Sequence, residues 1–472
     1  MEISDLAYEA RMQGLCPSSA IEGVVWPAVP DQRGSAILAI LFQLEQSQWW
    51  RPDELLGWQF NQLGLLVAHA RRTVPFYRER FGLTGIEPDG PLSLDDWRQI
   101  PLLTRSEIQA AGEALLSQQV PSSHGNLSDI FTSGSTGKPI RARRTQLSQL
   151  FWSAFTIRDH LWHRRDMSGT LAAIRESGKG KALYPKGAVA PNWGRSSSQV
   201  FNTGPCVSLN ILCPIEQHIE WLQRQDPDFL LTHPSMAHEL ARRCLTDGIK
   251  LARLRQVQTI SEILMPATRE ICHEAWGAPV VDMYTAREAG YLALQCPEHE
   301  HYHVQAEGAF VEILDKDGRA CEPGEIGRVV VTPLHNFAMP LIRYDIGDYA
   351  EVGEPCPCGR QLPTLRRILG RAQNMLAMPN GEKRWPLLSS ADIRSLLNIA
   401  PIRRYQFVQK SAERLELRIE VPRRLSSAEE SDLCSWICQK FGYPFEVSIV
   451  VLDEIPRSGA GKFQDFISEM DS

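Results

Sequence analysis

Apolar positions along this chain follow two rhythms, and the change from one to the other organises the reading. From Pro52 to Arg72, "PDELLGWQFNQLGLLVAHARR" repeats apolar residues at helical spacing and stops short of Pro75, which predicts an amphipathic helix over 52–72. A second helix start is signalled at "TRSE" (104–107), where Thr and Glu stand at capping-box spacing. The middle of the chain alternates: "HIEWLQRQ", "PDFLLTHPS" and "MAHELARRCL" read as helix, strand, helix, and "LRQVQTIS" and "PVVDMYT" as further strands. Such alternation predicts an α/β architecture with a largely parallel sheet. From Ala309 the rhythm shortens to strands and tight turns, as in "FVEILDKDGRACEPGEIGRVVVTPL", with "KDG" as a turn. "RYQFVQK", "RLELRIEV", a helix near 426–440 and "FEVSIVVLDEI" then read as a small α+β domain. Residues 1–50 carry no legible motif, and neither internal repeats nor low-complexity tracts occur.

Composition narrows the classes. A chain of 472 residues is too long for one ordinary core, so two or three domains are expected. Its net charge of -6 offers phosphates no globally basic surface, which argues against a general nucleic-acid binder. The longest apolar runs, such as "AILAILF" (36–42), fall far short of a bilayer span, so no membrane partner is expected. "MEISDLAYEARM" lacks a basic start followed by an apolar stretch, so a cytoplasmic location is expected. Eleven cysteines in such a chain do not form a disulfide framework. Cys434 and Cys438, one helical turn apart, are expected on a buried helix face.

The candidate chemistry begins at "FTSGSTGKPI" (131–140), where glycines allow close backbone approach and hydroxyls, amides and Lys138 could surround phosphate oxygens. It is not a Walker A loop: two residues separate Gly134 from Gly137, and Pro139 follows Lys138. Further along come "DMYTAREAG" (282–290), "LIRYDIGD" (341–348), "LGRAQN" (369–374) and "IPRSGAGKFQ" (455–464). Singly each is weak. In this order and at these spacings they resemble the adenylate-forming superfamily of acyl-CoA synthetases, adenylation domains and luciferases, in its phenylacetate-CoA ligase-like branch.

That resemblance implies a large multi-sheet N-terminal domain over 1–371, with 1–50 an extension of unknown role, and a small mobile α+β lid over 372–472. It implies ATP-dependent activation of a carboxylic acid, aromatic or compact and hydrophobic, to an acyl-adenylate, with CoA as acceptor. An amine or a carrier-protein thiol is the alternative acceptor, and a catalytically silent nucleotide- or zinc-binding homologue the remaining reading. Position by position, Thr132, Ser133, Gly134, Ser135, Thr136, Gly137 and Lys138 would lie over the β- and γ-phosphates. Tyr284 would stack near adenine, with Thr285 and Arg287 beside the nucleotide, and Glu288 would hold Mg²⁺. Asp348 and Arg371 would contact the ribose, Glu262 would end an adenine-contacting loop, and Lys462 would reach the acyl carboxylate and α-phosphate. The pattern departs from the family at Thr285-Ala286-Arg287, at Gln373-Asn374 where the hinge acids would stand, and after Lys462.

"CPEHEHYH" (296–303) and "CPC" (356–358) bring three cysteines and three histidines together, the ligand types of tetrahedral Zn²⁺. The branch's Cys-x6-His and Cys-x-Cys pattern maps to Cys296, His303, Cys356 and Cys358, with His299 and His301 as alternatives to His303. A closed four-ligand site would be structural. Acyl-pocket candidates are Trp152, Phe155, Trp162, His163, His233 and Ser235. The partners expected are thus a small carboxylic acid and CoA or another acceptor, with a homodimer left open.

Overall fold

The structure, a computed structural model, describes residues 17–82, 92–131, 139–371, 374–457 and 461–470. The helix predicted over 52–72 forms as Pro52–Thr73. Pro52 sits in the first turn, where no backbone donor is required, Asp53 and Glu54 face the positive end of the helix, and Arg71 and Arg72 its negative end. Leu55, Leu63, Leu66, Val67 and Ala70 form its buried stripe. The capping box at Thr104 is complete: Thr104 N–H donates to Glu107 Oε2 at 2.7 Å, and Glu107 N–H donates back to Thr104 Oγ1 at 3.3 Å. Ahead of both, a stretch without a legible motif forms the helix Gln32–Ser47, which places Ile37, Leu41 and Leu44 in the same core. Its outer Phe42 is 70% exposed, which blurs the amphipathic pattern that would have announced it.

Twelve strands among the described residues form one sheet. In spatial order these are Ala309–Leu314, Ile326–Pro333, Tyr344–Val352, Thr364–Arg371, Tyr302–Val304, Gly290–Gln295, Val280–Ala286, Gln256–Ile260, Phe229–Thr232, Leu171–Arg175, Cys206–Asn210 and Ala188–Ala190. Parallel pairing is confined to the five strands from Val280–Ala286 to Cys206–Asn210. These follow the helices Ile215–Gln225, Pro234–Asp247 and Pro266–Trp276 in alternation, and Gln256–Ile260 is buried throughout, as a strand covered on both faces must be. Beyond Ala286 the connections to Gly290 and from Gln295 to Tyr302 are too short for a crossover helix, so the sheet continues antiparallel.

A separate core is built from Leu376 onward. The strands Glu446–Val451, Arg414–Glu420, Arg404–Ser411 and Phe466–Ser468 pack with the helices Ser390–Ile399 and Ser427–Phe441 around Leu396, Phe407, Leu417, Leu433 and Ile437. Cys434 and Cys438 lie half-buried on the second helix, and their thiols donate to Val447 O and Phe445 O. This unit meets the large sheet through Arg457 Nη1 donating to Ser235 Oγ (2.9 Å), Arg394 paired with Glu270 (2.8 Å), and Phe463 N–H donating to Glu262 Oε1 (2.7 Å). No helix among the described residues is long and apolar enough to cross a membrane.

Candidate active site

The carboxyl ends of parallel strands are where an α/β sheet leaves a crevice for ligands, because the crossover loops diverge there. Here that crevice is a cavity of about 2090 Å³ between the sheet and the C-terminal unit, well beyond the size of an ordinary single-ligand pocket. Tyr284, Thr285, Arg287 and Glu288, at the end of Val280–Ala286 and just beyond it, line one wall. Asp348 and Arg371 face it from adjacent antiparallel strands, where they are direct register partners. Lys462 enters from the C-terminal unit.

The charges in this cavity are only partly matched. Tyr284 OH donates to Asp348 Oδ2 at 2.7 Å, and Arg371 Nε stands 3.6 Å from Asp348 Oδ1. Burial pushes the Asp348 carboxyl above its usual range, and Arg371 opposes that rise. Glu288, 8% exposed, is raised by burial as well, opposed by a hydrogen bond from its own backbone, and the Tyr344 hydroxyl stands 3.5 Å away. Lys462 is pulled down by burial, against the attraction of Glu262. A carboxylate and an amine both driven toward neutrality within one cavity mark a place prepared for ligand charge.

Glu262 has a position its sequence motif did not announce. Its two oxygens accept the backbone N–H of Ser235 (3.0 Å) and of Phe463 (2.7 Å), and His233 Nδ1 lies 3.6 Å away. It therefore ties the residue after Lys462 to the ends of two sheet strands. Burial and the positive charges of Lys462 and Arg175 hold His233 down at about 4, so it is neutral near pH 7. The segment 132–138, with all seven phosphate-loop candidates, lies outside the described residues. Its flanking strands Leu127–Phe131 and Arg141–Thr145 pair antiparallel, and Arg287 Nη1 donates to Phe131 O at 3.3 Å, so Arg287 points toward that loop.

Of the acyl-pocket candidates, Trp152, His233 and Ser235 line the cavity. Phe155 and Trp162 turn into the core, and His163 lies against Asp159 at 3.6 Å. All six stand near helical or strand spacing, and the side each faces is decided by packing that spacing alone does not specify. Arg175, which ends the strand Leu171–Arg175 and points into the cavity, was not singled out from sequence. The available signal was a charged residue closing an otherwise apolar strand.

The Cys and His residues converge apart from the cavity. The ligand atoms of Cys296, His303, Cys356 and Cys358 all lie within 4.8 Å of one another. Cys296 Sγ is 3.7 Å from Cys356 Sγ, and Cys358 Sγ is 3.4 Å from His303 Nε2. Zn–S bonds of about 2.3 Å put neighbouring sulfurs of a tetrahedron about 3.8 Å apart, so the set has the dimensions of a zinc site. His299 and His301 stack on each other at 5.3 Å and contribute nothing to the cluster. The four candidate ligands join the turn after Gly290–Gln295, the strand Tyr302–Val304 and the loop before Thr364–Arg371.

No family model matches the chain. Phenylacetate-coenzyme A ligase of Thermus thermophilus is 24% identical over 451 residues, covering 87% of this chain and 96% of that ligase. The Escherichia coli phenylacetate-coenzyme A ligase is 25% identical over 427 residues, covering 86% and 93%. Among solved structures, a 2-hydroxyisobutyryl-CoA ligase in the postadenylation state superimposes with a TM-score of 0.70 at 20% identity, over 89% of this chain and 91% of that one. The fold is that of an adenylate-forming acyl-CoA ligase. In sequence the chain is similar to the phenylacetate-coenzyme A ligases along nearly the whole length of those enzymes.

Proposed function

We propose that this protein adenylates a carboxylic acid with ATP and passes the acyl group to CoA. The observation that carries the reading is the convergence of Lys462, Glu288 and the Tyr284–Asp348–Arg371 group on one cavity at the carboxyl ends of the parallel strands. An acid oxygen attacks the α-phosphorus, the bond to the β-phosphate oxygen breaks, and pyrophosphate leaves. The CoA thiolate then attacks the acyl carbon, and AMP departs with the electron pair of its C–O bond. Asp348 accepts the ribose hydroxyls while Tyr284 holds that carboxylate in place. Lys462 neutralises charge between the acid and the α-phosphate, and Arg287 with the segment 132–138 receives the outgoing phosphates. Glu288, a buried carboxylate on the cavity wall with no ion pair among the described residues, fits Mg²⁺, which would supply charge to the pyrophosphate when bound. The lid would begin after Arg371, with Gln373–Asn374 at its hinge; Asn374 Oδ1 already accepts from Gln464 Nε2 at 3.2 Å.

The Cys296–His303–Cys356–Cys358 set would hold Zn²⁺ with no open position, pinning three segments of the sheet rather than acting on the acyl group. Carboxylate-dependent exchange of labelled pyrophosphate into ATP tests the enzyme reading. Lys462→Ala should lower that exchange by about 100- to 1000-fold. Exchange that survives the substitution undiminished, or no exchange with a broad acid panel, would end it. Metal analysis should find about one zinc per chain, lost from the Cys356→Ser, Cys358→Ser double variant; a metal-free and fully stable wild type would refute the zinc assignment.

A further inference from the structure

Along the crevice the strand ends present Tyr284, Glu262, His233 and Arg175 in that order, on four adjacent parallel strands or just beyond them. At about 4.8 Å per strand, Arg175 stands about 14 Å across the sheet from the strand that carries Tyr284. On that far side, beyond His233 and Lys462, the adenylation geometry leaves room for the body of the acid. The wall there is compact and aromatic: Trp152 and Tyr291 meet at 4.7 Å, and Trp193 closes another side.

Buried arginines in the body of the protein have their acids. Arg158 pairs with Glu307 at 2.9 Å, and Arg343 with Glu312 at 2.9 Å. No carboxylate or other acceptor takes a hydrogen bond from the Arg175 guanidinium among the described residues, although it opens into the cavity. Asp159, on the same wall, is already bound to Arg165. Desolvation on the cavity wall lowers the Arg175 pKa, Tyr291 opposes that, and Arg287 adds repulsion. Arg33 and Arg195 extend the positive character of this part of the cavity. Unlike Arg158 and Arg343, Arg175 is solvent-exposed within the cavity, so its guanidinium is free to meet an anion carried in by the ligand.

We propose that Arg175 receives a second anionic group on the acid that is adenylated, so the preferred substrate is a compact acid bearing a distal carboxylate, sulfonate or phosphate. This narrows the aromatic or compact hydrophobic acid expected from sequence to one that is compact but not wholly apolar, and it rests on the adenylating function proposed above. The bidentate geometry of guanidinium suits any of these three groups.

The test is pyrophosphate exchange with the full-length protein and matched pairs of acids. Benzoate and phenylacetate are set against the same acids carrying a ring carboxylate, sulfonate or phosphate, and butyrate against succinate. The dianionic partner should win by at least about tenfold in kcat/KM. Which of the three groups wins most identifies the source of the anion. Arg175→Leu should cost that acid about 10- to 100-fold while KM for ATP and for CoA stays within about twofold, and Arg175→Lys should restore part of the loss. A preference for the monoanionic acids that Arg175→Leu does not change would overturn the proposal. So would a loss that appears in KM for ATP or CoA, since Arg175 would then be a phosphate contact of those substrates. Exchange with no acid of either charge would instead bring down the adenylating function itself, and this inference with it.

Discussion

Buried charge is handled in opposite ways in the N-terminal core and in the cavity. In the core, Arg158 is held by Glu307, by the side-chain oxygen of Gln305 at 2.9 Å and by Leu44 O at 2.6 Å, so the helices Gln32–Ser47 and Gln146–Trp162 are locked to the turn at Glu307. Ser47 Oγ completes the arrangement by donating to Glu307 at 2.7 Å. In the cavity, Asp348 is contacted by Tyr284 and loosely by Arg371, Glu288 has the Tyr344 hydroxyl at 3.5 Å, and the exposed Arg175 meets no acid among the described residues. Matched charge buys structural specificity; mismatched charge is a standing cost that a charged ligand relieves. The difference separates the parts of this protein that hold the fold from those that would meet substrate in the function proposed above.

The comparison breaks first where the core pair breaks. Arg158→Met should destabilise by ~3–5 kcal/mol, since Glu307 is left buried and unpaired, whereas Arg158→Met with Glu307→Leu should recover most of that loss. Urea unfolding of both variants decides it, and a double variant no better than the single one would mean the pair itself stabilises. At the cavity the same kind of change should act on ligand rather than fold. Asp348→Asn should raise KM for ATP by about 10- to 100-fold and move unfolding by less than ~1 kcal/mol. A large loss of stability with ATP binding intact would place Asp348 with the core charges instead.

Much of this contrast could be read from sequence only on one side. The order of motifs led to Tyr284, Glu288, Asp348, Arg371 and Lys462, and the structure brings those five to one cavity because their side chains stand at strand ends or in loops with distinctive spacing. The convergence of Cys296, His303, Cys356 and Cys358 was likewise legible from the family pattern, although His299 and His301 stood as alternatives until the structure placed them apart. Arg175 was not, since a lone Arg after apolar residues is indistinguishable from a solvated strand end until its neighbours are known. The bond from Phe463 N–H to Glu262 left no trace in the sequence at all, because every residue but proline carries that donor. Periodicity found the helix Pro52–Thr73 but passed over Gln32–Ser47, where an exposed Phe42 interrupts the polar face. Phe155 and Trp162 were equally plausible for core and pocket by spacing, and only packing sent them to the core.

The smallest effect tests whether unbalanced charge in the cavity costs stability without ligand. Asp465 follows Lys462 by three residues, and burial, with the added repulsion of Glu262, pushes its carboxyl up to about 7 despite Arg404 and Arg457. In the unfolded chain it would titrate near ~4. Between those values the folded protein keeps a proton that the unfolded chain has released, so stability falls as pH rises from about 4 to about 7 and stays reduced above. Asp465→Asn stays neutral at every pH and removes that fall. Relative to wild type, the variant should therefore gain on the order of 1–2 kcal/mol between pH 5 and pH 8, a figure discounted for water in the cavity. Urea midpoints at the two pH values measure this directly. A difference between wild type and variant that is the same at pH 5 and pH 8 would show that Asp465 is balanced like Glu307, and that the cavity's excess charge does not extend to the segment carrying Lys462.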